Sequence, residues 1–364
     1  MADKIRIGIV GATVSPGGSQ WGARAHIPAL KSLPEYELKA VCTAHEDTAK
    51  ASAQAFGAEL AFHDINDMVA HPDIDLVVVS VKVPVHYQLV MPALKAGKAV
   101  YCEWPLGANL KEAQEMASLA RERHVRTVVG LQGRSDPTWM YARELVQQGQ
   151  IGDVIAANLS VSSMANTERT SDRVWQAERA AGANPLTIPG GHSIDAMCFV
   201  LGEFAEVSAR VTTQMKEWKA TDTGATVKVD APDNIGFVGG LVGGGEATVH
   251  VTTVPSNPGG FRFDVWGRQG AITITGGSAN IGPNEIYVAK GKGAAEAVQV
   301  PDRFKLTPEG TPAGQARNVA QAYTRFADSK TGERFDPDFD VAVTRHKLID
   351  AIERSSEQGK AVRL

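Results

Sequence analysis

The sequence predicts an α/β protein in two parts: a doubly wound parallel sheet over residues 1–130, then an α+β domain over 131–364 with an open, largely antiparallel sheet. Three observations carry this. Short β-branched runs alternate with helical segments through the first part, the signature of βαβ units. One of them, LVVVSV at 76–81, is uninterruptedly apolar, as befits a strand covered on both faces. Beyond residue 130 the runs alternate apolar and polar residues and are joined by Gly/Asn/Pro turns, as in GGLVGGGEATVHVTT.

Lys4–Val10 (KIRIGIV) ends at Gly11 and reads as the first strand, followed by a glycine-rich loop and a helix around Ala25–Ser32. Leu38–Cys42 is the second strand, and His45–Phe56 is a helix with alanines on one side. After the Val-rich strand come a helix at His86–Ala96, closed by Gly97, a strand at Ala99–Cys102, a helix at Leu110–His124 and a strand at Thr127–Val129. In the second part, a helix at Met140–Gln148 precedes strands at Val154–Val161, Val207–Thr213, Ile235–Leu241, Ala247–Thr253, Arg262–Trp266 and Ala271–Thr275. A helix from Ser193 to Leu201 interrupts them, and helices near Ala316–Ser329 and Val341–Gln358 close the chain, the last expected to pack near the first domain.

Composition narrows the function. Lys and Arg total 37 against 41 Asp and Glu, a formal net charge of -4, with no basic block to meet nucleic acid. No apolar stretch reaches the length of a membrane span, and the N-terminus lacks a signal-peptide pattern, so a soluble cytoplasmic protein is expected. Cys42, Cys102 and Cys198 are widely spaced among apolar neighbours and read as small buried side chains. The nine histidines show no metal-ligand spacing, so no metal site is expected.

Gly8, Gly11, Gly17, Gly18 and Gly22 follow or end the first strand, where a backbone free of side chains cradles a pyrophosphate at a helix N-terminus. The match to G-x-G-x-x-G is imperfect: Thr13 stands at the second position, and Gly22 arrives after an inserted SPGGSQ stretch. An acid at the end of the second strand would accept from the ribose hydroxyls of NAD; Thr43 stands there, followed by Ala44 and His45. The choice between NAD and NADP stays open.

VPVHYQLVMPALKAGKAVYCEWPLG (83–107), LQGR (131–134), GGHSID (190–195) and RHKLIDAIERSSEQGKAVRL (345–364) together resemble the Gfo/Idh/MocA oxidoreductases over nearly the whole chain. The resemblance implies a Rossmann domain joined to an α/β domain whose open sheet mediates homo-oligomerisation. It also implies NAD(P)-dependent oxidation or reduction of sugars, cyclitols and related polyols. Glu103-Trp104-Pro105 replaces the family's typical Glu-Lys-Pro, and Ile188 stands where an Asp usually precedes the motif histidine, His192. The inserted glycine loop, WGARAHIPAL, EWPL, LQGR and GHSID together resemble the subgroup containing the yeast galactose-regulon repressor, which keeps the dinucleotide fold but serves as a sensor.

The expected cofactor contacts are Gly11, Thr13, Gly22, Thr43, His45, Ser80, Val81, His86, Glu103 and Trp104. His192 is the candidate acid/base, since imidazole titrates near neutrality. Asp195, three residues on, either orients its ring or serves as an acid near a helix N-terminus. Trp104, Arg134, Arg173, Trp175 and His192 are the candidate substrate contacts, Trp104 by its apolar face and the arginines by binding hydroxyls or an anion. Three activities fit: oxidation or reduction of a sugar, sugar derivative or cyclic polyol; redox-neutral glycoside hydrolysis through transient oxidation of a ring hydroxyl; and non-catalytic dinucleotide sensing.

Overall fold

The computed structural model describes residues 4–17, 20–329 and 334–364; Gly18 and Ser19 of the glycine loop lie outside them. Strand β1 (Ile5–Val10) leads through the loop and a π-helical turn (Gly22–His26) into α1 (Ile27–Lys31). There follow β2 (Tyr36–Cys42), α2 (Glu46–Phe56), β3 (Leu60–Phe62), α3 (Ile65–Ala70), β4 (Leu76–Val79), α4 (His86–Lys95), β5 (Ala99–Glu103), α5 (Leu110–Glu122) and β6 (Thr127–Gly130). The six strands pair in parallel in the order β3-β2-β1-β4-β5-β6. Every side chain of β4 and β6 is buried, as continuous apolar runs covered on both faces require.

The sequence pattern does not announce β3 and α3. Three residues are too few to show a period, and α3 is set instead by its cap, with Asp64 accepting from the Asn66 N–H.

The second part opens with α6 (Pro137–Gln147), capped by Asp136, and β7 (Val154–Met164). It continues through β8 (Glu168–Arg169), α7 (Gly191–Leu201), β9 (Glu206–Thr212), β10 (Glu217–Ala220), β11 (Thr226–Lys228), β12 (Asn234–Gly240), β13 (Glu246–Val254), β14 (Gly260–Gly267), β15 (Gly270–Gly276), β16 (Asn284–Lys290) and β17 (Glu296–Ala297). The chain closes with α8 (Gln315–Asp328), α9 (Phe339–Gln358) and β18 (Val362–Arg363). Nine strands form one sheet in the order β17-β16-β15-β14-β7-β13-β12-β9-β18, and β11-β10-β8 form a small second one.

The large sheet is antiparallel except for β7 and β13, which run parallel at its centre. In–out alternation is the same for either pairing direction, so sequence pattern alone does not distinguish them. Its inner face carries Leu159, Val161, Val249, Val251, Phe263 and Ile274, all buried. Trp139 of α6 stacks on Phe261 at 5.8 Å and tilts over Phe263 at 5.3 Å.

By contacts the chain divides into two units: residues 1–131 with 306–344, and 132–305 with 345–364. The sequence predicts a single cut after residue 130; instead Leu306–Thr344 belongs with the first unit, and the division falls inside α9. The reason is visible in the first unit's core, where Ala316, Val319, Ala320, Tyr323 and Phe326 of α8 pack with Ile7, Ile9, Val78, Tyr101 and Val128 of the parallel sheet. Among the described residues, no helix is long and apolar enough to cross a membrane.

Candidate active site

In the first unit, a candidate binding region forms where the strand order reverses, at the carboxyl ends of β1 and β4. In an open parallel sheet this is where ligands bind. Gly11 has φ +96°, which side chains rarely adopt, and donates its N–H to Cys42 O at 3.1 Å. A Cβ at residue 11 would lie 2.5 Å from Val81 Cγ1 and nearer still to the Ser80 carbonyl oxygen. At Gly22 a Cβ would stand 3.0 Å from Ala12 Cα, so the helical run starting there packs directly on the loop. Ser80 is 6% exposed, and its hydroxyl has no hydrogen-bond partner among the described residues. A cradle without side chains beside an orphaned buried hydroxyl fits a dinucleotide.

Thr13 does not act as a glycine; its hydroxyl accepts from the Ser15 N–H at 3.1 Å and stiffens the loop. Thr43 donates to His45 O at 3.0 Å and shares a 2.6 Å hydrogen bond with Thr48, closing the turn before α2. His45 is exposed at the N-cap of that helix without a side-chain cap bond.

Glu103, Trp104 and Pro105 follow at the carboxyl end of β5, Trp104 only 5% exposed. His86, expected as a cofactor contact, has both ring nitrogens against backbone carbonyls: Nδ1 is 2.9 Å from Pro105 O, and Nε2 is 3.2 Å from Val81 O. Burial pushes its imidazole below the ordinary value. A neutral ring has one N–H, and the shorter contact, Nδ1 to Pro105 O, is where it goes; neither nitrogen points outward. The Cys102 thiol lies 3.4 Å from the same Nδ1, and burial pushes that thiol up.

In the second unit, the candidate residues are built on α7, a helix buried on all sides from Gly191 to Val200. His192 lies in its first turn, 7% exposed. Asp195, one turn on, is gripped by two guanidiniums. Arg134 donates from Nε and Nη2 to its two oxygens, each at 2.9 Å, and Arg345 donates from Nε at 3.2 Å. Arg345 also reaches Glu203 at 2.9 Å and the Cys198 sulfur at 3.1 Å. Burial pushes the Asp195 carboxyl up, but the Arg134 and Arg345 charges outweigh it and hold the group below its usual value.

Arg134, expected at the substrate, thus has two of its three guanidinium nitrogens in a bidentate ion pair. Arg173 and Trp175 sit half-buried in a 3₁₀ segment, Ser171–Ala177, where Arg173 Nη2 is 3.3 Å from Gln176 Oε1. This segment packs with the small sheet, whose Trp218 carries the Arg169 guanidinium 4.1 Å above its ring. The three cysteines are free and buried.

Two features escape sequence reading. Arg345 lies 150 positions from Asp195, and its only signal is a charged residue on the apolar face of a closing helix. Glu103, His26 and Tyr323 form a buried chain: His26 Nε2 lies 2.9 Å from Glu103 Oε1, and Nδ1 lies 2.7 Å from the Tyr323 hydroxyl.

Residues 5–131 match the model of the Gfo/Idh/MocA oxidoreductases, described as an oxidoreductase family with an NAD-binding Rossmann fold. Residues 137–276 match that of the Gal80p C-terminal domain. The chain is 32% identical to the dehydrogenase aclE of Aspergillus oryzae, over 99% of this chain and 98% of that protein. It is 26% identical to the galactose/lactose metabolism regulatory protein GAL80 of Kluyveromyces lactis, over 98% and 95%. The structure of levoglucosan dehydrogenase with NADH and levoglucosan superposes with a TM-score of 0.86 at 20% identity, covering 100% of this chain and 99% of that one. The chain therefore belongs to the Gfo/Idh/MocA oxidoreductase family, with its NAD-binding Rossmann domain followed by a Gal80p-type C-terminal domain.

Proposed function

We propose that the protein is an NAD(P)-dependent oxidoreductase of a sugar, sugar derivative or cyclic polyol, with His192 as its acid/base. The observation that carries the reading is the cradle of Gly11 and Ser80, a dinucleotide-shaped place in a chain whose relatives include sugar dehydrogenases. Gly11, Gly22 and Ser80 hold the dinucleotide, with Glu103 and Trp104 on the same sheet edge. When bound, the nicotinamide supplies a hydride acceptor. An imidazole nitrogen of His192 takes the hydroxyl proton as the carbinol becomes a carbonyl. Asp195, fixed by Arg134 and Arg345, keeps the turn that carries His192 in place. Trp104, 5% exposed, puts a rigid indole at this edge and, unlike a lysine, no ammonium proton.

The test is nicotinamide reduction with NAD and NADP against sugars, cyclitols and glycosides, with sugar release followed in the same reactions. Net reduction is expected. H192A should lower turnover by about 10²–10⁴, the usual contribution of an acid/base, with dinucleotide affinity unchanged. Full activity in H192A removes the assignment. Sugar release without net reduction would instead mark a redox-neutral glycosidase.

A regulatory reading is favoured by one observation, the match of residues 137–276 to the Gal80p C-terminal domain. It predicts dinucleotide binding with no turnover of any substrate in the panel. In either reading the outward face of the nine-stranded sheet is the surface for a second copy of the chain. It is small and polar at Asn158, Ser160 and Thr248, yet leaves Val238 and Trp266 49% and 45% exposed. Sedimentation should show a homo-oligomer that W266E weakens.

A further inference from the structure

Trp104 is flanked in sequence by two anchored neighbours, and each anchor is a buried histidine from a different part of the first unit. His26, at the end of the π-helical turn, is fully buried and faces the Glu103 carboxylate with one nitrogen and the Tyr323 phenol with the other. Burial pushes the Tyr323 phenol well above its ordinary value, so it keeps its proton beside Nδ1. Nε2 donates to the Glu103 carboxylate, which can only accept. Tyr101 and Tyr323 close edge-on around the imidazole at 5.1 and 5.7 Å, so water does not compete for these bonds. On the other side of the carboxylate, a Cβ at Gly130 would stand 2.6 Å from Glu103 Oε2. His86, 1% exposed, has one N–H to give when neutral; Nδ1 lies 2.9 Å from the Pro105 carbonyl, the shorter of its two contacts, and holds the end of β5 against the start of α4.

We propose that His26 and His86 are positioning residues that together set Trp104 on the carboxyl edge of the parallel sheet, His26 through the Glu103 carboxylate and His86 through the Pro105 carbonyl. The proposal rests on the reading that this edge holds the dinucleotide. Neither imidazole transfers a proton to a ligand; each removes a degree of freedom from the loop that presents the indole. Where a family lysine would adjust on a flexible stem, the rigid indole contributes only if its backbone is fixed at both ends.

Two readouts that need no sugar test it on the full chain. The first is NADH affinity, followed by energy transfer from tryptophan to the reduced nicotinamide. The second is acrylamide quenching of Trp104, taken as the difference between each protein and its W104F counterpart. H26F and H86F should each weaken NADH binding about tenfold or more, the factor expected when a buried hydrogen-bonding group loses its partner, and open Trp104 to quencher. H26Q, which still donates to Glu103, should recover affinity to within about threefold of the original protein. If H26F and H86F bind NADH as tightly as the original and keep Trp104 shielded, the histidines are packing residues and the proposal falls. If H26F does not fold, Y323F carries the test, with NADH binding about threefold weaker because Nδ1 has lost its partner; unchanged affinity and shielding overturn it. Should the original protein bind no dinucleotide, the reading of function fails, and quenching of Trp104 alone decides the positioning role.

Discussion

Replacing Asp195 with Asn should cost about 3–5 kcal/mol of stability, the usual penalty for breaking a buried ion pair from one side. The substitution keeps size and shape and removes only charge, so the loss reads the electrostatics of the site. Arg345 is fully buried and Arg134 nearly so, and both point at this one carboxylate. Without it, the two guanidiniums lose the acceptor they share, while Arg345 keeps Glu203, itself 38% exposed. Denaturant unfolding of D195N against the original protein measures the difference; a loss below about 1 kcal/mol, the range of exposed pairs, would mean the carboxylate is replaceable.

The same pair fixes a pH dependence. Because the folded carboxyl is held below its unfolded value of about 3.9, its contribution is fully present above that pH. It is lost as pH falls through the lower folded value. The original protein should therefore lose stability on acidification below about pH 4 more steeply than D195N, whose amide does not titrate.

Gly11→Ala should produce the second large effect, on binding and stability together. The added methyl meets the backbone of Ser80 and the side chain of Val81, neither the far end of a flexible chain, at a φ that alanine rarely adopts. Overpacking and backbone strain each cost about 1–3 kcal/mol. Relief requires β1 and β4 to part at the point where the cradle forms, so NADH affinity should fall by about tenfold or more. Calorimetric titration of the folded variant checks this. An unchanged dissociation constant would move the dinucleotide away from the switch point.

Much of the first unit was legible because local chemistry determines it. The unbroken apolar run at Leu76–Val79 can only be a strand covered on both faces, and Gly11 and Gly22 stand where a side chain would strike the opposing backbone. His192 and Asp195 were legible as a pair one turn apart, but not what Asp195 does: its partners come from positions 134 and 345, a separation that no local pattern encodes. His86 shows the converse. A histidine at the start of a helix beside a ligand edge reads as a contact, whereas only the fold reveals that both its nitrogens lie against backbone carbonyls. The parallel pairing of β7 with β13 was hidden because alternation reports which face is buried and not the direction of the neighbour.

The return of residues 306–344 to the first unit also sets an order of events during synthesis. Chains commonly fold from the N-terminus as they emerge from the ribosome. Here the parallel sheet is fully translated at residue 130, yet the apolar surface that α8 covers stays bare until residues 315–328 have followed. His26 likewise waits for Tyr323. The nascent first unit must carry an exposed hydrophobic face while some 200 further residues are made, an interval of about 10–40 s at 5–20 residues per second. During that interval it is a natural client for a chaperone, and a fragment ending at residue 131 would be an insoluble piece of the protein instead of a smaller version of it.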